Sequence, residues 1–96
     1  MKLNEQTKHK EELSVDVLEQ DLYSLILYND DVNTFDHVIQ CLVSICKHNS
    51  VQAEQCAYLV HFNGKTDVKL GELDELQTYK QALIEEGLSA VVEKAN

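Results

Sequence analysis

The sequence predicts an α+β fold, a two-layer domain with helices packed on a small sheet in the order β-α-α-β-α-β. Three observations predict it. Short apolar runs of strand length stand at both ends of the patterned region, Leu22–Tyr28 and Leu88–Glu93. Between them, apolar residues recur at three- and four-residue spacing in three blocks, the period of a helix with one buried face. With no proline and three glycines in 96 residues, little interrupts the elements except their turns, and a compact helix-on-sheet domain follows.

A chain of 96 residues with 44% apolar content suits one globular domain. It can bury a single core but has little room for a deep, water-excluding cleft. Its formal net charge of -9 comes with lysine as its only strongly basic residue and no arginine. That excludes the clustered basic contacts that nucleic-acid phosphates require. A positively charged ligand or a basic docking surface fits better, although acidity also serves solubility alone. Three cysteines, an odd number, and a leading MKLNEQTKHKEEL without an apolar core predict a soluble domain of a reducing, cytoplasmic compartment. No stretch approaches the roughly 20 apolar residues of a membrane span.

Residues 1–20 are polar and mixed in charge and are expected to form a flexible tail before a core over 21–96. Leu13, Val15 and Leu18 allow a weak helix from Glu11 to Leu18. Leu22–Tyr28 then runs without polar alternation, as a strand does when it is central or covered on both faces. Asn29-Asp30-Asp31 stops it, since these side chains bond to nearby backbone and are poor strand formers. Asn33 or Thr34 caps the first helix, with Asp36 in its first turn. Its buried stripe is expected at Phe35, Val38, Ile39, Leu42, Val43 and Cys46, with Lys47 and His48 in the last turn. Asn49 and Ser50 cap a second helix that buries Ala53, Cys56, Ala57 and Val60, extended by Leu59, and that ends at Gly64. The two form a helical hairpin. Lys65–Leu70 reads as an edge strand with Val68 and Leu70 inward, followed by a turn at Gly71. Leu73, Leu76, Tyr79, Ala82 and Leu83 mark the third helix, which Gly87 ends. Glu85 and Glu86 oppose the helix dipole there, a small local cost.

Catalytic motifs are absent. Asp30 and Asp31 are adjacent, so on a regular strand their carboxylates point to opposite sides rather than converging as an acid/base pair. Cys56 and His61 lie nearly half a turn out of phase on one helix, the wrong geometry for a nucleophile and its base. There is no phosphate-binding glycine loop, serine elbow or zinc-protease motif. The cysteines form no Cys-x-x-Cys pair, so no metal site and no cofactor is expected. His37 and His48 read as solvated helix positions and His9 as part of the tail. His61 follows the buried Val60 at a helix C-terminus, where a histidine is at home without any further role. The polar Asn29-Asp30-Asp31 turn is, on the residues alone, either plain turn chemistry or the floor of a binding site.

A resemblance bears on that choice. Asn29-Asp30-Asp31, then Phe35, Val38-Ile39 and Leu42, followed by Val60-His61-Phe62-Asn63-Gly64-Lys65, resemble the Clp protease adaptor family, ClpS. The similarity runs from about Ile26 to Lys65, and the closing Val92-Glu93-Lys94-Ala95 also fits. It implies a small three-stranded antiparallel sheet packed by three helices, and a role without catalysis. Such an adaptor captures N-degron proteins, which begin with a bulky hydrophobic residue (Leu, Phe, Tyr or Trp), and delivers them to a Clp AAA+ unfoldase. Carried over by residue, Asn29, Asp30 and His61 would hold the α-amino group, with Asp31 and Asn33 on the polar rim. Phe35, Val38, Ala57, Val60 and Leu88 would enclose the first side chain. Many relatives carry methionine where this chain has Phe35 and Ala57, and a threonine where it has Asn33, so the pocket shape differs from theirs. The segment Thr66–Gly87 is shorter than in many relatives, and unfoldase-docking residues do not transfer across it.

The partners so implied are the N-terminal domain of a Clp unfoldase and substrate proteins with a hydrophobic first residue. The rival reading is an interaction domain of the same fold that docks on the unfoldase without reading the N-terminal residue. A small enzyme using Asp30, Asp31 and His61 is a more distant third. The tail is expected to assist delivery but not capture.

Overall fold

Ser24-Leu25-Ile26-Leu27 is buried throughout, because the strand that carries it is central. The computed structural model describes residues 22–95. Its elements are β1 (Tyr23–Tyr28), α1 (Phe35–Ser44), α2 (Ser50–Asn63), β2 (Lys65–Gly71), α3 (Leu73–Glu85) and β3 (Ser89–Lys94). The sheet order is β2-β1-β3, and β1 runs antiparallel to both neighbours. The expected α+β order and the antiparallel three-stranded sheet are therefore found. The tail over residues 1–20, with its helix from Glu11 to Leu18, lies outside the described residues. Among the described residues no helix is long and apolar enough to cross a membrane.

The core lies on one face of the sheet. Leu25 and Leu27 from β1 meet Leu42 of α1, Ala53 and Val60 of α2, and Leu76 and Leu83 of α3. Each fully buried leucine contributes roughly 1.5–3 kcal/mol relative to leaving it in water. Ile26 is buried but stands outside this cluster, on the opposite face, between its strand partners Asp67 and Val91.

Several details depart from the sequence reading. The first helix ends at Ser44, and Lys47 takes a left-handed φ of 65°. That reversal sends His48 inward instead of into solvent: it is 4% exposed, and its Nε2–H donates to the Val68 carbonyl at 2.7 Å. Its Nδ1 is buried without a partner. The stripe of α1 is rotated, with Cys41 buried and Val43 40% exposed. Leu59, expected to extend the buried face of α2, is 44% exposed. Leu70 also points out, at 55% exposed, although Val68 is buried. The cause is a register shift opposite Leu25/Ile26, where Val68 is the extra residue of β2. A bulge shifts the alternation beyond it, so Val68 and Leu70 no longer share a face. Gly71, expected as a turn, is the last residue of β2 and pairs with Tyr23.

Side-chain caps and a glycine fix where the helices begin and end. Thr34 Oγ1 accepts the His37 N–H at 3.1 Å, and Asn49 Oδ1 accepts the Gln52 N–H at 2.8 Å. At the end of α3, Gly87 adopts φ 91°, its N–H reaching the Ile84 carbonyl at 2.9 Å and the Leu88 N–H reaching the Leu83 carbonyl at 3.0 Å. This paired C-terminal motif aims Leu88 back into the core beside Leu83. A Cβ at Gly87 would meet only Asn33 Oδ1, at 3.7 Å, so strain in the left-handed backbone is the whole cost of adding one. Gly87→Ala should therefore lower stability by about 1–2 kcal/mol, read as a lower urea midpoint with an unchanged slope.

Candidate functional site

The strand stop after Tyr28 is built around one carboxylate. Asp30 Oδ1 accepts the backbone N–H groups of Val32 and Asn33, each at 2.8 Å. Its Oδ2 accepts the Asn33 side-chain amide, also at 2.8 Å. The same Asn33 nitrogen donates to the Gly87 carbonyl at 2.8 Å, which joins this turn to the one between α3 and β3. The Asn33 backbone N–H, with help from the Asn33 amide and the Val32 N–H, holds the Asp30 carboxyl below the usual carboxylate range. Partial burial opposes that shift and is outweighed. Asn33, expected on the polar rim, lines the pocket and also serves as a strut, its side-chain nitrogen engaged by both of these bonds.

The backbone of Asn29 makes the other tie. Its N–H donates to the Gly64 carbonyl at 2.8 Å, and Gly64, at φ 90°, closes α2 through its own N–H to the Val60 carbonyl at 2.9 Å. The last turn of α2, which carries Val60 and His61, is thereby held next to the Asn29-Asp30-Asp31 turn.

These ties leave a concave pocket of about 320 Å³, at the lower end of the range for small-ligand sites. Every residue that the resemblance assigns to a site lines it: the polar Asn29, Asp30, Asp31, Asn33 and His61, and the apolar Phe35, Val38, Ala57, Val60 and Leu88. Ala57, Val60 and Leu88 are buried, Phe35 and Val38 are half-buried, and Asn29, Asp31 and His61 are exposed. The floor is thus continuous with the core, while the rim is wet and carries two carboxylates.

Leu27 and Tyr28 also line the pocket and were not anticipated. An aromatic group at its edge is likewise new. Phe35 meets Tyr58 edge-on at 4.9 Å between ring centroids, and Tyr58 stacks on Phe62 at 6.0 Å with 6° between planes. His61 sits 5.0 Å from Phe62 and 6.4 Å from Phe35. Tyr58, His61 and Phe62 recur at helical spacing on α2, a second face beside the single buried stripe expected there. Phe62 remains 72% exposed.

Such an arrangement can accept hydrogen bonds from a cation while burying an attached apolar group. It is poorly suited to nucleophilic chemistry. Burial pushes the Cys41 and Cys56 thiols up and Cys46 to about 11, far from the thiolate a nucleophile needs at neutral pH. The group among the described residues with metal-ligand geometry, His37, Cys41 and Glu86, lies outside the pocket.

Comparison with known proteins agrees with this architecture. The family model for the ATP-dependent Clp protease adaptor protein ClpS matches residues 18–91, which extends the similarity from the Ile26–Lys65 stretch through α3 into β3. A ClpS adaptor of Synechocystis is 39% identical over 75 residues, covering 76% of each chain. One from Acetivibrio thermocellus is 32% identical over 83 residues, covering 86% of this chain and 83% of its own. Among solved structures, Agrobacterium tumefaciens ClpS2 bound to L-phenylalaninamide superposes with a TM-score of 0.73 at 22% identity, over 76% of this chain and 95% of that one. On the family match and these identities, the chain belongs to the ATP-dependent Clp protease adaptor protein ClpS family.

Proposed function

We propose that this adaptor binds proteins with a bulky hydrophobic N-terminal residue and delivers them to the N-terminal domain of a Clp AAA+ unfoldase. The observation that carries the reading is the pocket itself, in which polar acceptors stand at the rim of an apolar floor. The carboxylate of Asp30, the Asn29 amide oxygen and an unprotonated His61 nitrogen would receive the three hydrogens of an α-ammonium group. The first side chain would enter between Phe35, Val38, Ala57, Val60 and Leu88, with Asp31 adding negative charge at the rim. The L-phenylalaninamide bound by Agrobacterium ClpS2 has the same two parts, a free amine and a hydrophobic side chain.

Magnitudes explain why both parts would be needed. Hydrogen bonds to a charged group contribute roughly 1.5–3 kcal/mol each. Burying a Leu or Phe side chain adds about 1.5–3 kcal/mol. Micromolar binding needs about -8 kcal/mol after the cost of association is met, and three such bonds at mid-range, about 7 kcal/mol, fall short without the side chain. Asp30 has three of its acceptor positions taken by Val32 and Asn33, so it offers the amine one fixed direction on Oδ2.

Fluorescence anisotropy with labelled short peptides tests the reading. Leu- and Phe-initiated peptides should bind, and N-acetylation should weaken them by about 100-fold or more, since at least two charge-assisted bonds are lost. His61→Ala should cost about 10- to 150-fold. Indifference to the first residue would sink the proposal and favour an unfoldase-docking domain that does not read it. Affinity should also fall as pH rises past the ordinary α-amino pKa of about 8, because the ligand loses its charge while Asp30 keeps its own. A second substitution probes the floor. Ala57→Leu fills space above Val60 and Leu88 and should weaken Phe-initiated peptides more than Leu-initiated ones; equal loss would mean that Ala57 does not touch the side chain.

A further inference from the structure

His37, Cys41 and Glu86 converge on a small cavity of about 190 Å³ that the peptide pocket does not include. His37 and Cys41 lie one turn apart on α1 and share a face. Glu86 is the C-cap of α3. His37 Nε2 stands 3.6 Å from Cys41 Sγ, 3.9 Å from Glu86 Oε1 and 2.9 Å from the Glu86 carbonyl oxygen. The three side-chain ligand atoms all lie within 4.8 Å of one another. A tetrahedral Zn²⁺, with bonds of about 2.0 Å to nitrogen or oxygen and about 2.3 Å to sulfur, holds its ligand atoms roughly 3.3–3.6 Å apart. The nitrogen–sulfur pair already has that spacing. The carboxylate, on a side chain 55% exposed, has about half an ångström to close toward the histidine nitrogen and at most about 1.3 Å toward the sulfur.

A second observation is independent of these distances. Glu86 puts a carboxylate beside the last carbonyls of α3, the end of a helix where negative charge is unfavourable. Nothing in the peptide pocket uses it. A divalent cation between Glu86 and α1 would neutralise both the carboxylate and the carbonyl end.

The geometry points to a binding site for a thiophilic divalent cation of the zinc class, with His37 Nε2, Cys41 Sγ and Glu86 Oε1 as protein ligands. The Glu86 carbonyl or a water in the cavity completes four-coordination. Without metal, His37 caps α3 by donating its Nε2–H to the Glu86 carbonyl. On binding, that hydrogen is carried on Nδ1 instead, the Nε2 lone pair turns to the metal, and Cys41 releases its thiol proton to solvent. The bound ion would clamp α1 to the α3–β3 turn, next to the Asn33–Gly87 bond. No linear motif announces the site, because its third ligand comes from a different helix.

Cobalt titration of the full chain tests it, with Co²⁺ as the probe and Zn²⁺ as competitor. The expected result is a thiolate-to-cobalt charge-transfer band with tetrahedral visible bands, saturating at a single equivalent and bleached by Zn²⁺. Cys41→Ser should abolish the charge-transfer band, and Cys56→Ser should leave it unchanged. Glu86→Gln, at an exposed position that leaves far-UV circular dichroism unaltered, should weaken Co²⁺ binding by at least about tenfold. His37→Gln should do the same if Cys41→Ser fails to fold. Absence of the charge-transfer band, its survival in Cys41→Ser, or unchanged affinity in Glu86→Gln and His37→Gln would overturn the proposal. The readout is independent of peptide binding, so its failure leaves the pocket reading untouched.

Discussion

The hydrogen-bonded relay from Asp30 through Asn33 to Gly87 is the constraint on which the site depends. One carboxylate collects two backbone N–H groups and an amide, and the same amide then reaches a carbonyl far along the chain. The relay ends β1, starts α1 and anchors the turn that delivers Leu88. The three bonds to the carboxylate, charge-assisted and local, are among the stronger ones available to a surface turn, and the neutral bond from Asn33 to Gly87 carries the tie across the chain. Three of the carboxylate's acceptor positions are taken by the fold, so the one left on Asp30 has a fixed direction. That is pre-organisation in the literal sense: the ordering cost is met on folding and not on binding.

The pocket is an opening in the core and has no separate lining. Leu27, Ala57, Val60 and Leu88 are buried residues whose exposed edges form its floor. On the proposed reading, substitutions there would act on stability and on recognition together, whereas changes at Asn29, Asp31 or His61 would act mainly at the wet rim. Ala57 combines burial with small size, which leaves space at the floor. Phe35 works in the opposite sense, holding the mouth through its contacts with Tyr58 and His61.

Much of this was legible in the sequence because it depends on local chemistry. The strand stop at Asn29-Asp30-Asp31, the caps at Thr34 and Asn49, and the glycines at 64 and 87 each leave a signal within a few residues. Resemblance to a family pattern supplied what spacing could not, the pairing of His61 with that turn. Features that depend on tertiary placement were missed. His48 looked solvated because nothing local reveals the left-handed Lys47 that turns it toward Val68. Leu70 looked buried because a strand bulge leaves no mark on alternation in so short a segment. Tyr58 escaped notice, and Phe62 was read only as part of the Val60–Lys65 pattern, since both lie off the stripe facing the core; the His37, Cys41 and Glu86 group was missed since its members belong to two helices.

The central claim is that one pocket reads both a free α-amine and the side chain beside it. An amide ¹H–¹⁵N spectrum recorded while a Phe-initiated peptide is titrated in tests this most directly, with intermolecular contacts from the ring to methyl groups. The account predicts shifts concentrated at Asn29 to Asn33 and His61, with ring contacts to Ala57, Val60 and Leu88. Shifts confined to other surfaces, with the Asn29–Asn33 turn and Leu88 unmoved, would contradict it.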